Sequence, residues 1–248
     1  MIDRVESFLG EHIEGFFNRK FSSHLEPVEL VKGLEKEAKK QSADSSLANA
    51  YVISLGTEDY QRLCSHRVAD ELGTALKKYI IRADLTMEGK LSICFAHDTA
   101  LRAGTYQLTV HIQRESVSEH DADASCDATA QTIVLERPSL TEARCLNLPP
   151  EHELAALTVL NGADEGVSVH LGERKIYMGR MPRNEFILTD SNISRVQAWI
   201  SYESHRHTLY DAQSRNGSFV NGARAEVQRL CDGDEIRFGT TALRYEVL

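Results

Sequence analysis

The chain has 248 residues, with 28 basic and 37 acidic side chains, a net charge of −9 and 42% hydrophobic residues, which suits one or two globular domains. The acidic balance argues against a nucleic-acid binder, which should show a basic domain or stripe, and no apolar run approaches the roughly 18 residues of a membrane span. Five cysteines, Cys64, Cys94, Cys126, Cys145 and Cys231, are odd in number and widely spaced without a Cys-x-x-Cys. That pattern points away from a disulfide framework or a zinc site and toward a reducing cytoplasm.

At the N-terminus, Ile2, Val5, Phe8, Leu9, Ile13, Phe16 and Phe17 fall near helical spacing with Glu6, Glu11, Glu14 and Arg19 between them. The spacing predicts an amphipathic helix that packs on its own domain, because a membrane-surface helix would carry Lys and Arg on its polar face. The same stretch lacks the apolar core of a signal peptide. A second helix is expected from Pro27 to about Lys40, with Pro27 in the first turn, Glu26 and Glu29 at the positive end of the dipole and Lys36, Lys39 and Lys40 at the other. Tyr51–Leu55 reads as a strand. Thr57 is expected to cap one helix running to about Arg82, and Leu91–Ala96 and Thr105–Ile112 alternate as strands. Residues 1–113 thus read as an α+β domain. His12, His24, His66 and His97 have no metal-ligand spacing, His97-Asp98 reads as a hydrogen-bonded surface pair, and no Gly-rich phosphate loop is present.

Residues 114–153 carry 3 basic and 9 acidic side chains. Few of the remaining residues are large and apolar, so the segment cannot bury enough surface to offset the entropy of ordering it. It reads as a flexible acidic linker. Thr129, Thr132 and Thr141 are its candidate phosphorylation sites, and they also suit ordinary solvated positions.

From residue 154 to 248 the pattern becomes short alternating runs separated by turn residues every eight to twelve positions, the pattern of an all-β sandwich. Nine strands are expected: 155–160, 166–171, 175–178, 186–188, 198–202, 208–210, 218–220, 235–238 and 243–247. Trp199 is expected to pack into or against the core. His205-x-His207 places two imidazoles on one strand face but offers no third ligand, so a hairpin tip is the expectation. The recurring polar residues lie in the connections: Gly179-Arg180, Ser194-Arg195-Val196-Gln197-Ala198, Ser214-Arg215-Asn216-Gly217, Asn221-Gly222 and Leu230-Cys231-Asp232-Gly233-Asp234. Taken singly, Arg180 also suits a surface ion pair, Ser194 a turn cap, and the two Asn-Gly pairs type I′ turns. Together they suit a phosphate. Arg180 offers a planar fork of donors to phosphate oxygens, Ser194 a hydroxyl, Arg195 a second charge, and Asn216 a donor and an acceptor that can clamp a peptide backbone.

In this order the motifs resemble the forkhead-associated (FHA) domain over roughly 157–248. Upstream, Asp3-Arg4-Val5-Glu6, Glu14-Gly15-Phe16-Phe17, Glu26-Pro27-Val28-Glu29-Leu30, Tyr51-Val52-Ile53 and Asp59-Tyr60 resemble the N-terminal domain that accompanies FHA domains in actinobacterial proteins. The resemblance implies a phosphothreonine-binding adaptor: Arg180 and Ser194 on the phosphate, Arg195 nearby, Arg215 and Asn216 on the peptide chain. Gly179, Gly217, Asn221 and Gly222 take structural roles. Gln197 stands where the family usually has His, and its amide is expected to keep the site assembled with looser support. The implied partner is a phosphothreonine-containing protein, a Ser/Thr kinase or its substrate, with cell-envelope growth or division as the setting. No enzymatic activity, cofactor, metal or membrane insertion is implied. The rival readings are a phosphate-independent scaffold whose site has decayed at Gln197, and an enzyme in the N-terminal domain, for which no nucleophile, base or metal cluster stands out.

Overall fold

The computed structural model describes residues 25–41, 47–113 and 152–248. The Ile2–Phe17 pattern and the segment with Thr129, Thr132 and Thr141 lie outside the described residues.

Residues 25–113 form an α+β layer. Helix α1, Pro27–Gln41, buries Leu30, Val31, Leu34 and Ala38 on one face, with Glu29 in its first turn and Lys39 and Lys40 in its last. Strand β1, Ala50–Leu55, lies between β2, Ser92–His97, and β3, Tyr106–His111, parallel to β2 and antiparallel to β3. The expected single helix after Thr57 is two: α2, Thr57–Leu63, and α3, His66–Arg82. Thr57 does not cap. Gly56 is the N-cap of α2, without a side-chain bond, and the Thr57 hydroxyl lies 3.0 Å from His97 Nε2. The cap is Ser65, whose Oγ accepts from the Val68 N–H at 3.3 Å. A serine in the extended conformation there starts a new helix at a new angle. His97 pairs with Thr57 and the Tyr60 ring, and Asp98 instead accepts from the Ala100 N–H.

Residues 152–248 form two sheets face to face. Strands β4 (Ala155–Val159), β5 (Ser168–Leu171), β10 (Ser218–Val220), β11 (Ala223–Ala225), β13 (Glu235–Phe238) and β14 (Thr241–Val247) make one, in the order β11-β10-β13-β14-β4-β5. Strands β6 (Ile176–Gly179), β7 (Phe186–Ile187), β8 (Ala198–Glu203), β9 (Arg206–Asp211) and β12 (Val227–Arg229) make the other, in the order β12-β9-β8-β6-β7. Leu157, Met178, Ile200, Leu209, Phe238, Leu243 and Tyr245 are among the residues that fill the space between them. Two strands were missing from the sequence reading, β11 and β12. Each is three residues long and sits at a sheet edge, and the chain passes from one sheet to the other at Glu226, whose carbonyl accepts from the Asp211 N–H. Edge strands of three residues carry little period-two signal. Trp199 lies outside the core. Ala198 and Ile200 point inward, so Trp199 stacks on Tyr210 across the outer face of its sheet, with the Lys175 ammonium 4.7 Å from its ring.

The two halves pack on one another. Ile81 of α3 joins the apolar cluster of the sandwich, and Arg82 donates to the Val247 carbonyl at 3.2 Å. Lys77 pairs with Glu173. Arg206, 1% exposed, pairs with Asp84 and donates to the Leu85 and Leu230 carbonyls. The β8–β9 hairpin turns at Ser204-His205, both at positive φ (47° and 59°), and His205 Nε2 sits 2.9 Å from the Gly89 carbonyl. A carbonyl only accepts, so that nitrogen carries the proton and the Tyr202 hydroxyl faces Nδ1 as donor. His207 repeats the arrangement, with Nε2 on the Gly172 carbonyl at 2.9 Å and Nδ1 on the Tyr245 hydroxyl at 2.7 Å.

Burial pushes both imidazoles down, His207 to about 4. A histidine held neutral in the native state binds fewer protons than the unfolded chain between its folded value and the ordinary 6.5. Stability from this source is therefore complete above pH 6.5 and is lost as the pH falls toward 4. For His207 the loss amounts to about 3 kcal/mol. The unfolding midpoint should fall steeply across that window in melts followed by circular dichroism, and His207→Gln should flatten the slope. An equal slope in the variant would assign the acid sensitivity elsewhere.

Candidate functional site

Three connections of the sandwich meet at one end of the β8–β9 pair: the turn after β6, the loop before β8 and the loop after β9. Backbone bonds join the first two. The Arg180 and Met181 N–H groups donate to the carbonyls of Ser194 and Arg195, each at 3.0 Å, and the Gln197 N–H donates to the Met178 carbonyl at 2.8 Å. The approach is close enough to require glycine at 179. A Cβ there would lie 2.7 Å from the Arg195 oxygen, 2.8 Å from the Gln197 nitrogen and 2.9 Å from the Ser194 oxygen. Buried Asn184 adds a side-chain donation to the Arg195 carbonyl at 2.8 Å.

Gln197 joins the second connection to the third. Its side chain is fully buried. The amide oxygen accepts from the Ser194 N–H at 2.9 Å, and the amide nitrogen faces Ser214 Oγ at 2.8 Å, the Gly217 carbonyl at 3.1 Å and Ser218 Oγ at 3.2 Å. The serine hydroxyls can accept from Gln197 because each donates to Asp211 Oδ1 at 2.6 Å, and Asp211 Oδ2 also accepts from the Ser214 N–H. Asp211, Ser214 and Ser218 were not singled out as support in the sequence, although Asp-x-x-Ser at 211–214 has the form of an Asx turn.

The loop before β8 is anchored at its other end by Asp190. Its carboxylate accepts from Asn192 and from Thr240, side chain and backbone in both cases, and from the Thr241 hydroxyl. Desolvation works to raise this carboxyl, but the bonds from Thr240 and Asn192 outweigh it and hold the group well below the usual carboxylate range.

On this frame Ser194 Oγ accepts from the Arg215 N–H at 3.0 Å, which leaves its own proton free to donate outward. Asn216 donates one amide hydrogen to the Asn192 carbonyl at 2.7 Å, leaving its oxygen and second hydrogen for a ligand. Arg180, Arg195 and Arg215 are exposed, and none of them has an ion pair among the described residues. The structure therefore brings Gly179, Arg180, Ser194, Arg195, Gln197, Arg215, Asn216 and Gly217 to one set of loops. Asn221 and Gly222 lie at the β10–β11 turn instead. Both have positive φ and close a two-residue hairpin, and Asn221 bonds Asp234 and Glu235. Of the two Asn-Gly pairs only this one is a type I′ turn, since Asn216 has no positive φ. Among the described residues, no group of three or more His, Cys, Asp and Glu is placed to hold a metal. No helix among them is long and apolar enough to cross a membrane.

Two family models match the chain. Residues 2–109 match the one described as FhaA, N-terminal domain, and residues 158–246 match the one described as the cytoplasmic domain of an inner membrane component of T3SS. The glycogen accumulation regulator GarA of Mycobacterium tuberculosis is 30% identical over 130 residues, 52% of this chain and 76% of GarA. The oxoglutarate dehydrogenase inhibitor of Corynebacterium glutamicum is 31% identical over 93 residues, 38% of this chain and 64% of that protein. A solved structure from an analysis of phosphothreonine-dependent FHA domain interactions is 30% identical and covers 38% of this chain and 95% of its own, with a TM-score of 0.35. Mycobacterium tuberculosis EmbR in complex with a low-affinity phosphopeptide is 26% identical, covering 39% of this chain and 25% of its own, with a TM-score of 0.35.

Gln197→Leu keeps the volume and removes every side-chain bond that joins the loops. It strands the half-buried Ser194 N–H and the serine lone pairs, at a cost of about 2 kcal/mol. Urea unfolding of the variant should show that loss, while Gln197→His retains most of the stability. A leucine variant as stable as the parent would show that the loops assemble without the amide.

Proposed function

We propose, for a chain that belongs to the forkhead-associated (FHA) domain family, that residues 154–248 bind phosphothreonine in a partner protein and that residues 1–113 are its companion domain in an adaptor. The observation that carries the reading is the state of Ser194. Its lone pair is taken by the Arg215 N–H while its proton remains free, at the centre of loops that also present three arginines with no ion pair among the described residues. A phosphate ester supplies acceptor oxygens and about two negative charges, and arginine meets it with parallel donors. In this reading Arg180 and Ser194 hold the phosphate, Arg195 adds charge, and Arg215 and Asn216 hold the peptide backbone. The continuous chain of bonds through Gln197 supports this reading over a decayed, phosphate-independent scaffold.

The partner class is a protein phosphorylated on threonine, a Ser/Thr kinase or its substrate. Cell-envelope growth or division is the setting implied by the sequence resemblance. The GarA and oxoglutarate dehydrogenase inhibitor matches favour a second setting, the control of a metabolic enzyme. A pull-down with the full chain, run with and without phosphatase treatment of the lysate, separates a phosphate-dependent partner from a scaffold partner.

Arg180→Ala should reduce affinity for a phosphothreonine peptide at least tenfold in calorimetry and leave the circular dichroism spectrum unchanged. A charge-assisted bond contributes about 1.5–3 kcal/mol and Arg180 can make two. Parent-like affinity in this variant would remove Arg180 from the site.

A further inference from the structure

The outer face of the six-stranded sheet begins where the peptide loops end. Asn216 and Gly217 lead directly into β10, where Phe219 pairs with Arg224 of β11 on one side and with Arg237 of β13 on the other. All three side chains point outward, with both arginines exposed and Phe219 half-buried between them. The Arg237 guanidinium lies 4.1 Å from the centre of the Phe219 ring, which fixes it in place while its edge stays open. One of its nitrogens donates to the Gly239 carbonyl, and the remaining donors have no protein partner among the described residues. The Arg224 guanidinium lies over Gly217. A Cβ on that glycine would be 3.1 Å from Arg224 Nε and 3.4 Å from Cζ. Neither arginine has an ion pair among the described residues.

We infer that Arg224, Phe219 and Arg237 form a second anionic subsite, continuous with the phosphothreonine loops, that selects peptides carrying a carboxylate or a second phosphate on the flank that leaves past Asn216. The inference rests on the phosphothreonine reading and adds a sequence requirement to it. Three observations carry it. The first is continuity, since Arg224 covers the residue next to the proposed backbone clamp. The second is charge, since two guanidiniums share one face with no ion pair among the described residues. The third is order, since Phe219 holds Arg237 and the Gly217 backbone underlies Arg224, so neither head group must be gathered on binding.

The spacing follows from strand geometry. Gly217 lies two residues, up to about 7 Å, from Arg215, whose N–H marks Ser194. The Arg224–Phe219–Arg237 row spans two strand separations, about 10 Å. An extended peptide rising about 3.3 Å per residue would meet this row two to five residues from its phosphothreonine. A single acidic group in that range on one flank reaches it, and on the other flank does not.

The test uses the full chain and synthetic phosphothreonine peptides with alanine flanks. One Glu, phosphoserine or Lys is placed in turn at positions two to five on either side, and affinity is read by fluorescence anisotropy. Glu should strengthen binding about five- to tenfold on one flank only, phosphoserine should strengthen it further, and Lys should weaken it. The gain should shrink as salt is raised. Arg224→Gln and Arg237→Gln should each reduce the gain while leaving the alanine-flanked peptide's affinity unchanged, and Arg224→Lys should restore part of it. If Glu and phosphoserine help at no position, or the gain survives in the double glutamine variant, the second subsite is wrong and phosphothreonine binding still stands. If the alanine-flanked and acidic peptides bind no better than their unphosphorylated forms, the phosphothreonine reading falls and the subsite with it.

Discussion

The site depends on one buried amide. Gln197 sits where no water can replace its bonds, and each of its two polar ends meets partners of the right sense. The oxygen faces an N–H and the nitrogen faces oxygens. The two serine hydroxyls accept from Gln197 only because Asp211 takes their protons. Remove the carboxylate and the hydroxyls have no fixed direction. Remove the amide and the half-buried Ser194 N–H is left without its acceptor. A network of this kind is fully satisfied or costly, and it therefore specifies one arrangement of the loops. Glutamine reaches an N–H donor and three acceptors that an imidazole, with one group on each side, would have to divide differently.

The same strand pair that carries this amide carries the contact with the N-terminal half. Gln197 precedes β8 and Asp211 closes β9, while Ser204 and His205 form the tip at the far end. A six-residue pair spans about 20 Å, so one hairpin runs from the loops around Ser194 to Gly89. Its turn places two non-glycine residues at positive φ, where Asn-Gly would be expected and where an L side chain costs about 1 kcal/mol. The docking of His205 on the Gly89 carbonyl and of Arg206 on Asp84 offsets that strain. The tip sequence is thus suited to the partner surface in the same chain and not to the turn alone.

These particulars explain what the sequence made legible. The sandwich could be read because its strands alternate and its turns are punctuated by Gly and Asn, and the Asn221-Gly222 hairpin formed as that chemistry requires. The loops could be read because Arg, Ser and Asn recur in a fixed order. The break between α2 and α3 was hidden by a continuous apolar period. Only Ser65, three residues ahead of Val68, marked it. Strands β11 and β12 were hidden because three residues at an edge are too few to show a period. The histidines at 205 and 207 read as residues of a hairpin tip. Their burial comes from α3, Gly89 and Gly172, which are remote in the chain. The three acceptors of Gln197 lie 17 to 21 residues downstream, a tertiary fact that composition does not carry.

A chain of net charge −9 can nonetheless hold a strongly positive site, because charge acts locally. At physiological ionic strength, exposed charges more than about 8 Å apart are largely screened from one another. The net charge of the whole chain therefore says less about the loops than the exposed arginines at 180, 195 and 215 do. The loops stay in place because the Gln197, Asp211 and Asp190 networks hold the backbone and not the guanidiniums. That division matters energetically. If the arginines were paired with internal carboxylates, a ligand phosphate would have to displace those bonds before making its own, and the gain would be a small difference. With no ion pair among the described residues, they would give an incoming anion their full attraction. The buried neutral amide supplies the rigidity, which leaves the charged groups free for recognition.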